Sequence, residues 1–310
     1  MLKGKEIYLI LLICLVFMAE CSLHAQGGGK MEESKSFKLA LVQMMVDGGK
    51  REENLGRAGK RIAEAVSHGA QVLLLPEAMD LGWTHPSALT NAGPVPGGET
   101  CQFLIGQAKK YGVYICSGLV EKENETVFNS AVLIDPEGRV ILKHRKIYEL
   151  DIGHPYYALG DRLQAAETKF GKIGVLICAD ANTINQVLTR SLGYMGAGVI
   201  LSPCSWAVKA DHDNKIDPYG ALWENAYIPV AKDFALWIAG CSNVGWMNAG
   251  PWKGWKGIGC SLVIDPQGTI ALKGPYGDDA DTILYVDIKP LARPAQGTNW
   301  PGYWEKVRGD

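Results

Sequence analysis

Short runs of consecutive apolar residues alternate along the chain with segments whose apolar residues recur at helical spacing. Uninterrupted Val, Ile and Leu runs are typical of strands that are buried on both faces. In the first half, the runs predict strands at residues 38–44, 71–77 and 113–120, and a strand pair around a Pro-Glu-Gly turn at 130–144. Helical spacing at Leu55, Ala58, Ile62, Ala65 and Val66 predicts one helix, and residues 99–111 a second.

The second half repeats this order of elements. Strands are predicted at residues 172–180, 198–204 and 236–243, followed by a strand pair around a Pro-Gln-Gly turn at 260–274. Helices are predicted from Ile184 to Met195 and from Tyr219 to Phe234. The segments VLIDPEGRVILK and LVIDPQGTIALK are similar in both composition and turn. Corresponding segments in the same order indicate two structurally related halves.

The pattern predicts how the two halves pack. Each half has helices to cover only one face of its sheet, so the bare faces are best buried against each other. We therefore predict an α/β fold, a four-layer α-β-β-α sandwich with two pseudo-symmetric halves. Residues 37–290 form a single predicted domain, because no Pro- or Ser-rich linker separates the halves.

The two ends of the chain have a different composition. Lys3 and Lys5 precede an apolar run at residues 7–18, and the following polar stretch ends at Ala25, which predicts a signal peptide at 1–25. The run is shorter than the ~20 residues that span a bilayer. We expect export to the periplasm or the medium, with membrane anchoring left open. Residues 26–36 are predicted to be flexible, and the tail 291–310 to dock on the body or on a neighbouring subunit.

Composition narrows the class of protein. The 310 residues are 47% hydrophobic and 21% charged, with a net charge of −2 and no basic run, which gives no reason to expect nucleic acid as a partner. No Cys or His spacing fits a metal site. Four of the cysteines lie in apolar runs, where we expect small buried side chains: Cys101, Cys116, Cys241 and Cys260.

Three short segments carry candidate chemistry: LLLPEAMD with Glu77, HRKIYEL with Lys146, and GVLICADAN with Cys178. A carboxylate base, a cation and a thiol are the groups needed to attack a carbon bonded to nitrogen and hydrolyse the adduct. Each has a structural alternative. Glu77 can be a charge leaving the core, Lys146 part of a solvated basic cluster, and Cys178 a buried thiol.

The surroundings of Cys178 favour the functional interpretation. The thiol ends an apolar run, and a helix is predicted from about Thr183, whose N-terminal N–H groups would favour a thiolate. The N–H of Ala179 can point to a developing oxyanion. Ligands of such sheets bind beyond the carboxyl ends of strands, where Glu77 and Cys178 are placed.

The three segments, in this order, resemble the signature segments of the nitrilase superfamily of carbon–nitrogen hydrolases, as do FNSAVLIDPEG and GCSLVIDPQG. The resemblance covers about residues 38–290 and implies the same sandwich. It also implies Glu77 as base, Lys146 as oxyanion-stabilising amine and Cys178 as nucleophile. Members usually form homodimers or larger homo-oligomers and use no metal or organic cofactor.

The chain departs from the family pattern in two places. The second glutamate of many members aligns without gaps to His154, with Glu149 and Asp151 nearby but differently spaced. The pair after the nucleophile is Ala179-Asp180, which is closer to amidases and carbamoyl hydrolases than to the Trp-Glu of nitrilases.

Two residues near the end of the strand predicted at 198–204 are candidates for substrate binding. They are Cys204 and Trp206, and this strand corresponds to the strand of the first half that ends at Glu77.

These observations predict a thiol hydrolase that cleaves a linear amide or an N-carbamoyl group through a thioester at Cys178. Its partner would be a small-molecule amide or carbamoyl substrate, with no nucleic acid and no membrane contact beyond the export signal. Two alternatives stay open: a nitrilase, and a catalytically silent binding protein that keeps the pocket.

Overall fold

Two six-stranded sheets form the core of the protein, in a computed structural model that describes residues 35–291. The predicted signal peptide 1–25 lies outside the described residues, as do residues 26–34 of the predicted flexible segment and all of the predicted tail 291–310 except Leu291. Within the described part, no helix combines the length and the apolar composition needed to cross a bilayer.

The first half of the chain alternates strands and helices as predicted. Its elements are β1 (Phe37–Gln43), α1 (Arg51–Ser67), β2 (Val72–Leu74), α2 (Ala88–Asn91), α3 (Glu99–Tyr111), β3 (Tyr114–Glu123), β4 (Thr126–Ile134) and β5 (Val140–Arg145).

The second half repeats the plan with additions. Its elements are β6 (Ala165–Thr168), β7 (Gly171–Val175), α4 (Val187–Tyr194), β8 (Val199–Cys204), β9 (Ala207–Val208), α5 (Ala221–Phe234), β10 (Trp237–Ser242), β11 (Val244–Trp246), β12 (Lys256–Ile258), β13 (Leu262–Ile264), β14 (Ile270–Lys273) and β15 (Thr282–Ile288). Short 3-10 turns lie at Asp151–Gly153, Cys178–Asn182 and Ile184–Gln186.

The two large sheets have the same topology. Their strand orders are β15-β1-β2-β3-β4-β5 and β14-β13-β10-β8-β7-β6. In each, three parallel strands (β1, β2 and β3; β7, β8 and β10) continue into an antiparallel hairpin, and one further antiparallel strand closes the other edge. The predicted pseudo-symmetric sandwich is therefore confirmed.

Burial along β1 shows why its apolar run is continuous. Leu39 and Leu41 belong to the cluster that contains residues of the second sheet, whereas Ala40 and Val42 pack in the cluster with α1 and α3. Alternate residues therefore face the other sheet and the helical layer, and both sets are buried. Cys101, Cys116, Cys241 and Cys260 are buried free thiols, as predicted.

The segment after Cys178 differs from the prediction. The α-helix begins at Val187 rather than near Thr183, after two 3-10 turns. Asn185 and Gln186 adopt positive φ angles of 55° and 50°, which interrupts helical geometry ahead of α4. The expected helix N-terminus therefore does not begin next to the thiol.

Strands β6 and β15 and the small sheet of β11, β12 and β9 were absent from the sequence prediction. Strand β6 is short and only partly apolar, and β15 gains its place by pairing with β1, far away in sequence. Long-range pairing of this kind leaves little local signal.

Candidate active site

The chain segments that follow β2, β5 and β7 meet at one cavity. Glu77 lies three residues beyond the last residue of β2, Lys146 directly follows β5, and Cys178 lies three residues beyond the last residue of β7. All three line the same cavity, so the structure brings the predicted residues together. Glu77 and Lys146 come from the first half of the chain and Cys178 from the second.

Backbone contacts hold Glu77 in place. Its N–H donates to the carbonyl of Cys204 at the end of β8, with N and O 3.2 Å apart. On the other side, a Cβ atom at Gly118 would lie 2.5 Å from the Glu77 Cα, so only glycine permits this close approach of β3. The base is thus fixed between strands of both halves.

Lys146 is bound by two buried carboxylates. Its Nζ donates to Glu77 Oε1 and to Glu149 Oε1, each at 2.8 Å, and the side chains of all three are at most 2% exposed. Burial alone would lower the pKa of Lys146, but the charges of Glu77 and Glu149 outweigh it and hold this pKa well above its ordinary value. The amine is therefore a fixed ammonium ion.

Asn129 and Glu149 complete this network, and the sequence prediction did not assign a role to either. Asn129 Nδ2 donates to Glu77 Oε1 at 2.7 Å and to Glu149 Oε2 at 3.0 Å. The backbone N–H of Lys146 donates to the Asn129 carbonyl at 2.8 Å. One amide thus orients both carboxylates and anchors the backbone of the lysine.

The second carboxylate that binds Lys146 belongs to Glu149, whereas the gap-free alignment placed the second glutamate of the family pattern at His154. The chain turns after Lys146 so that Glu149, three residues later, reaches the same ammonium. The 3-10 turn at Asp151–Gly153 then leads away, and the His154 side chain is 44% exposed, 4.0 Å from Asp151. The structure therefore does not bring His154, the candidate for substrate binding, to the described lining of the cavity. The i,i+3 spacing of Lys146 and Glu149 was the available signal.

Glu77 is suited to exchange protons. Burial raises its pKa above the ordinary value, and the Glu149 carboxylate adds to the shift, although Lys146 and Asn129 favour the anion. A buried carboxylate with a raised pKa accepts and returns protons more readily than an exposed one near neutral pH.

Cys178 occupies a constrained turn. Its φ angle of 45° is rare for a residue with a side chain, and its N–H donates to Ser202 Oγ at 3.2 Å. Cys178 is the first residue of the 3-10 turn Cys178–Asn182 and lies three residues beyond the last residue of β7. Strain of this type is found where structure holds a functional side chain in place.

Asp180 connects the turn that begins at Cys178 to the segment that follows Lys146. Its carboxylate accepts hydrogen bonds from the N–H groups of Ile177 (3.0 Å), Ile147 (3.0 Å) and Tyr148 (2.8 Å), and from His144 Nε2 (2.8 Å). Although burial alone would raise it, these donors, His144 first, hold the pKa of Asp180 below its ordinary value. This fully buried anion ties two parts of the site together.

The resting thiol is not held as a thiolate, contrary to the sequence prediction. Burial, contact with Cys204 and the Glu77 carboxylate raise the pKa of Cys178 well above 9.0, and they outweigh Lys146. The N-terminus of an α-helix, which was expected to favour a thiolate, does not lie next to the thiol either, because the helix begins at Val187.

Of the two pocket residues predicted after β8, Trp206 lines the cavity and Cys204 does not. Cys204 is fully buried behind the site, with Sγ 3.5 Å from Ser202 Oγ and 3.7 Å from the Tyr227 hydroxyl. The structure therefore does not place this candidate for substrate binding at the cavity, because the last residue of β8 is buried in the interior. Ala179, the predicted oxyanion donor, lines the cavity.

The cavity has a volume of about 320 Å³ and walls that are mostly apolar, with six aromatic residues among them. Besides the residues already named, the described lining consists of Trp83, Tyr148, Leu150, Asn182, Ser205, Ala207, Tyr219, Leu222, Trp223 and Trp252. Trp83 also lies against the ammonium, with its ring centroid 5.3 Å from Lys146 Nζ. Within the described residues, no group of three His, Cys, Asp or Glu side chains is placed to hold a metal ion.

Comparison with known proteins gives consistent matches. Residues 38–295 match the family model of carbon–nitrogen hydrolases. The chain is 32% identical over 255 residues to a nitrilase of Pyrococcus abyssi, covering 81% of this chain and 90% of that protein. It is 28% identical over 262 residues to the omega-amidase NIT2 of Xenopus tropicalis, covering 81% and 88%.

The fold is shared with a solved structure of the nitrilase superfamily. Saccharomyces cerevisiae Nit3, a member of branch 10 of that superfamily, superimposes with a TM-score of 0.72 at 22% identity. The match covers 90% of this chain and 96% of the yeast chain. At this level of identity the likeness concerns the architecture of the two sheets and their helices.

Proposed function

Because this chain belongs to the carbon–nitrogen hydrolase family, we propose that it hydrolyses linear amides or N-carbamoyl compounds through a thioester at Cys178. The observation that carries the proposal is the Lys146 ammonium, bound to Glu77 and Glu149 at 2.8 Å each, on a cavity that also exposes the Cys178 thiol. Base, cation and nucleophile are the groups that acyl transfer from nitrogen needs.

In the first step, Glu77 accepts the thiol proton while Sγ of Cys178 attacks the substrate carbonyl carbon. The C–S bond forms and the carbonyl π electrons move to oxygen. Lys146 and the N–H of Ala179 stabilise this oxyanion, and one such donor typically contributes about 3 kcal/mol to transition-state stabilisation. Since burial raises the pKa of Cys178, transfer of the proton and attack are expected to be coupled.

In the second step, the tetrahedral adduct collapses and the C–N bond breaks. Glu77 returns its proton to the leaving nitrogen, so that ammonia or an amine departs and the acyl group stays on sulfur. Glu77 then accepts a proton from water, whose oxygen attacks the thioester carbon. The C–S bond breaks, the thiol regains its proton, and the acid is released.

A nitrilase reaction is the second candidate, because the Pyrococcus abyssi relative bears that name. In this chain, the residues after the nucleophile are Ala179 and Asp180, and Asp180 serves as an anchor for four donors. One acid assayed as its nitrile, its primary amide and its N-carbamoyl derivative separates the reactions. We expect turnover of the amide or carbamoyl compound and little of the nitrile, and the reverse order would favour a nitrilase.

The role of Cys178 is tested with a matched pair of cysteine variants. Cys178→Ala should abolish amide turnover and leave the melting temperature nearly unchanged, because it removes a single sulfur at the cavity surface. Cys204→Ala, in the neighbouring buried position, should retain the nucleophile and measurable activity. Retained activity in Cys178→Ala would refute the proposal, and a wild-type protein inert toward amides, carbamoyl compounds and nitriles would favour a silent binding protein.

A further inference from the structure

We propose that the substrate is an amide whose acyl group is uncharged and carries an apolar ring, such as an arylacetamide. This inference rests on the proposed function and adds the class of acyl group. It is carried by the charge and shape of the cavity beside Cys178, which the catalytic residues alone do not determine.

The described lining of the cavity offers no free cation to a charged acyl group. Among its described lining residues Lys146 is the only cation, and its ammonium is already bound to Glu77 and Glu149. A second carboxylate on the substrate would lose its hydration without gaining a cation, and it would also face the buried negative charge of Glu77. Burial of an unpaired ion is strongly unfavourable.

The walls instead present flat apolar faces. Trp206 and Trp223 are stacked with centroids 4.7 Å apart and planes at 21°, and Trp83 meets Trp252 edge-on at 5.0 Å and 69°. The Trp223 indole N–H donates to the Tyr219 hydroxyl at 2.8 Å, so this polar edge is already used within the wall. Aromatic faces bind planar rings through offset or edge contacts as well as by area burial.

The size of the cavity is sufficient for an acyl group that carries one ring. Its volume of about 320 Å³ is at the small end of the range for ligand pockets. Tyr148, Leu150 and Leu222 line it and are themselves exposed, which places them at its opening.

The retained half of the substrate is the one that gains most from these walls. The acyl group stays bound through the thioester, whereas the amine leaves and water must enter. We therefore assign the apolar walls to the acyl group and the opening to the amine.

The test compares two amides of similar length. Phenylacetamide should show a kcat/KM at least about 100-fold higher than succinamate, because the carboxylate of succinamate finds no free cation in the described lining. Equal values, or a preference for succinamate, would overturn the assignment of the acyl group and leave the proposed hydrolysis standing. Calorimetric binding of both amides to the Cys178→Ala protein gives the same comparison without turnover. Phenylacetamide should bind more tightly there, and equal or reversed affinities would overturn the inference even if no amide were hydrolysed.

A charge introduced at the opening provides a second test. Leu222 lines the cavity and is 59% exposed, whereas Ile216 is 84% exposed and is not among the lining residues. Leu222→Arg should raise kcat/KM for succinamate at least about 10-fold relative to wild type, since it supplies the missing cation. Ile216→Arg should leave it unchanged. No gain in Leu222→Arg, or an equal gain in both variants, would contradict the inference.

Discussion

Lys146 keeps its positive charge in a place where burial alone would remove it. The two carboxylates that bind it, Glu77 and Glu149, are also fully buried and share the amide of Asn129. Such a network is stable only while every member has its partners, because an unpaired buried charge is costly. The same arrangement leaves one carboxylate for proton transfer and the other for holding the ammonium.

The role of Glu149 leads to a direct prediction. In Glu149→Gln, Lys146 loses a charged partner and its Nζ is less firmly positioned, so kcat should fall by about 100-fold for a displacement of ~1 Å. The control is His154→Ala, which removes an exposed side chain outside the network and should change kcat less than twofold. Steady-state kinetics of both variants on one amide tests this prediction. A larger fall in kcat for His154→Ala than for Glu149→Gln would favour the substrate-binding role predicted for His154 from the sequence.

The pH profile follows from the buried base. Burial, with Glu149, raises the pKa of Glu77 above 4.5, and only the ionised carboxylate accepts the thiol proton. As pH falls through this raised pKa, kcat/KM should therefore fall, on an acid limb that lies above 4.5. Because the pKa of Cys178 lies well above 9.0, no alkaline limb is expected across the neutral range. An acid limb at or below the ordinary glutamate value would contradict this account.

The three candidate residues that meet at the cavity could be predicted because each is marked by its neighbours. Glu77 and Cys178 end apolar runs, and Lys146 lies two residues beyond a predicted strand. The alignment pointed to His154 instead of Glu149 because a fixed offset from Lys146 cannot detect a tight turn that returns Glu149 to the ammonium. Asn129 directly precedes the strand pair predicted at 130–144; it belongs to β4, where a polar residue gives no sign of the side that it faces.

At the scale of elements, the site depends on three strand ends and the turns after them. A 3-10 turn, Cys178–Asn182, follows the thiol where the sequence predicted the start of an α-helix nearby. Asp180 in this turn bonds to the backbone of the lysine segment at Ile147 and Tyr148. The turn therefore fixes the nucleophile relative to the cation instead of supplying a helix dipole.

This anchor predicts a large effect for Asp180→Asn. The variant keeps the size of the side chain but removes the charge that four donors share, so the free energy of unfolding should fall by about 3 kcal/mol. Amide turnover should decrease with it, since the turn carries Cys178. The control, Asp233→Asn, removes an exposed pair with Arg190 and should cost less than about 1 kcal/mol. Urea unfolding of both variants tests this, and equal losses would show that the turn needs no anchor.

Most regular elements could be predicted from apolar runs, but the walls of the cavity could not. Trp223 lies in a predicted helix, where an aromatic residue is usually interpreted as part of the hydrophobic core. Trp83 lies in a segment without regular periodicity. Trp206 could be placed because it lies two residues beyond the end of β8. The cavity thus depends on how loops from distant parts of the chain fold over the strand ends, which local periodicity does not encode.

At the scale of the whole molecule, duplication builds the site. The first half supplies Glu77 and Lys146, and the second supplies Cys178. Strand β8 accepts a hydrogen bond from the N–H of Glu77 at the Cys204 carbonyl and one from the N–H of Cys178 at the Ser202 hydroxyl. The edge strands reinforce the same organisation, since β15, at the end of the second half, pairs with β1 along seven residues. Neither half alone contains the set of groups that the reaction requires.

The most direct test of this account is the mass of the protein during turnover. Wild-type protein mixed with phenylacetamide and quenched in acid should carry one phenylacetyl group in place of one hydrogen. The adduct should map to the peptide that contains Cys178, decay as the substrate is exhausted, and be absent in Cys178→Ala. An acyl group on any other residue, or continued hydrolysis by Cys178→Ala, would contradict the claim that the two halves assemble a thiol hydrolase site at this sulfur.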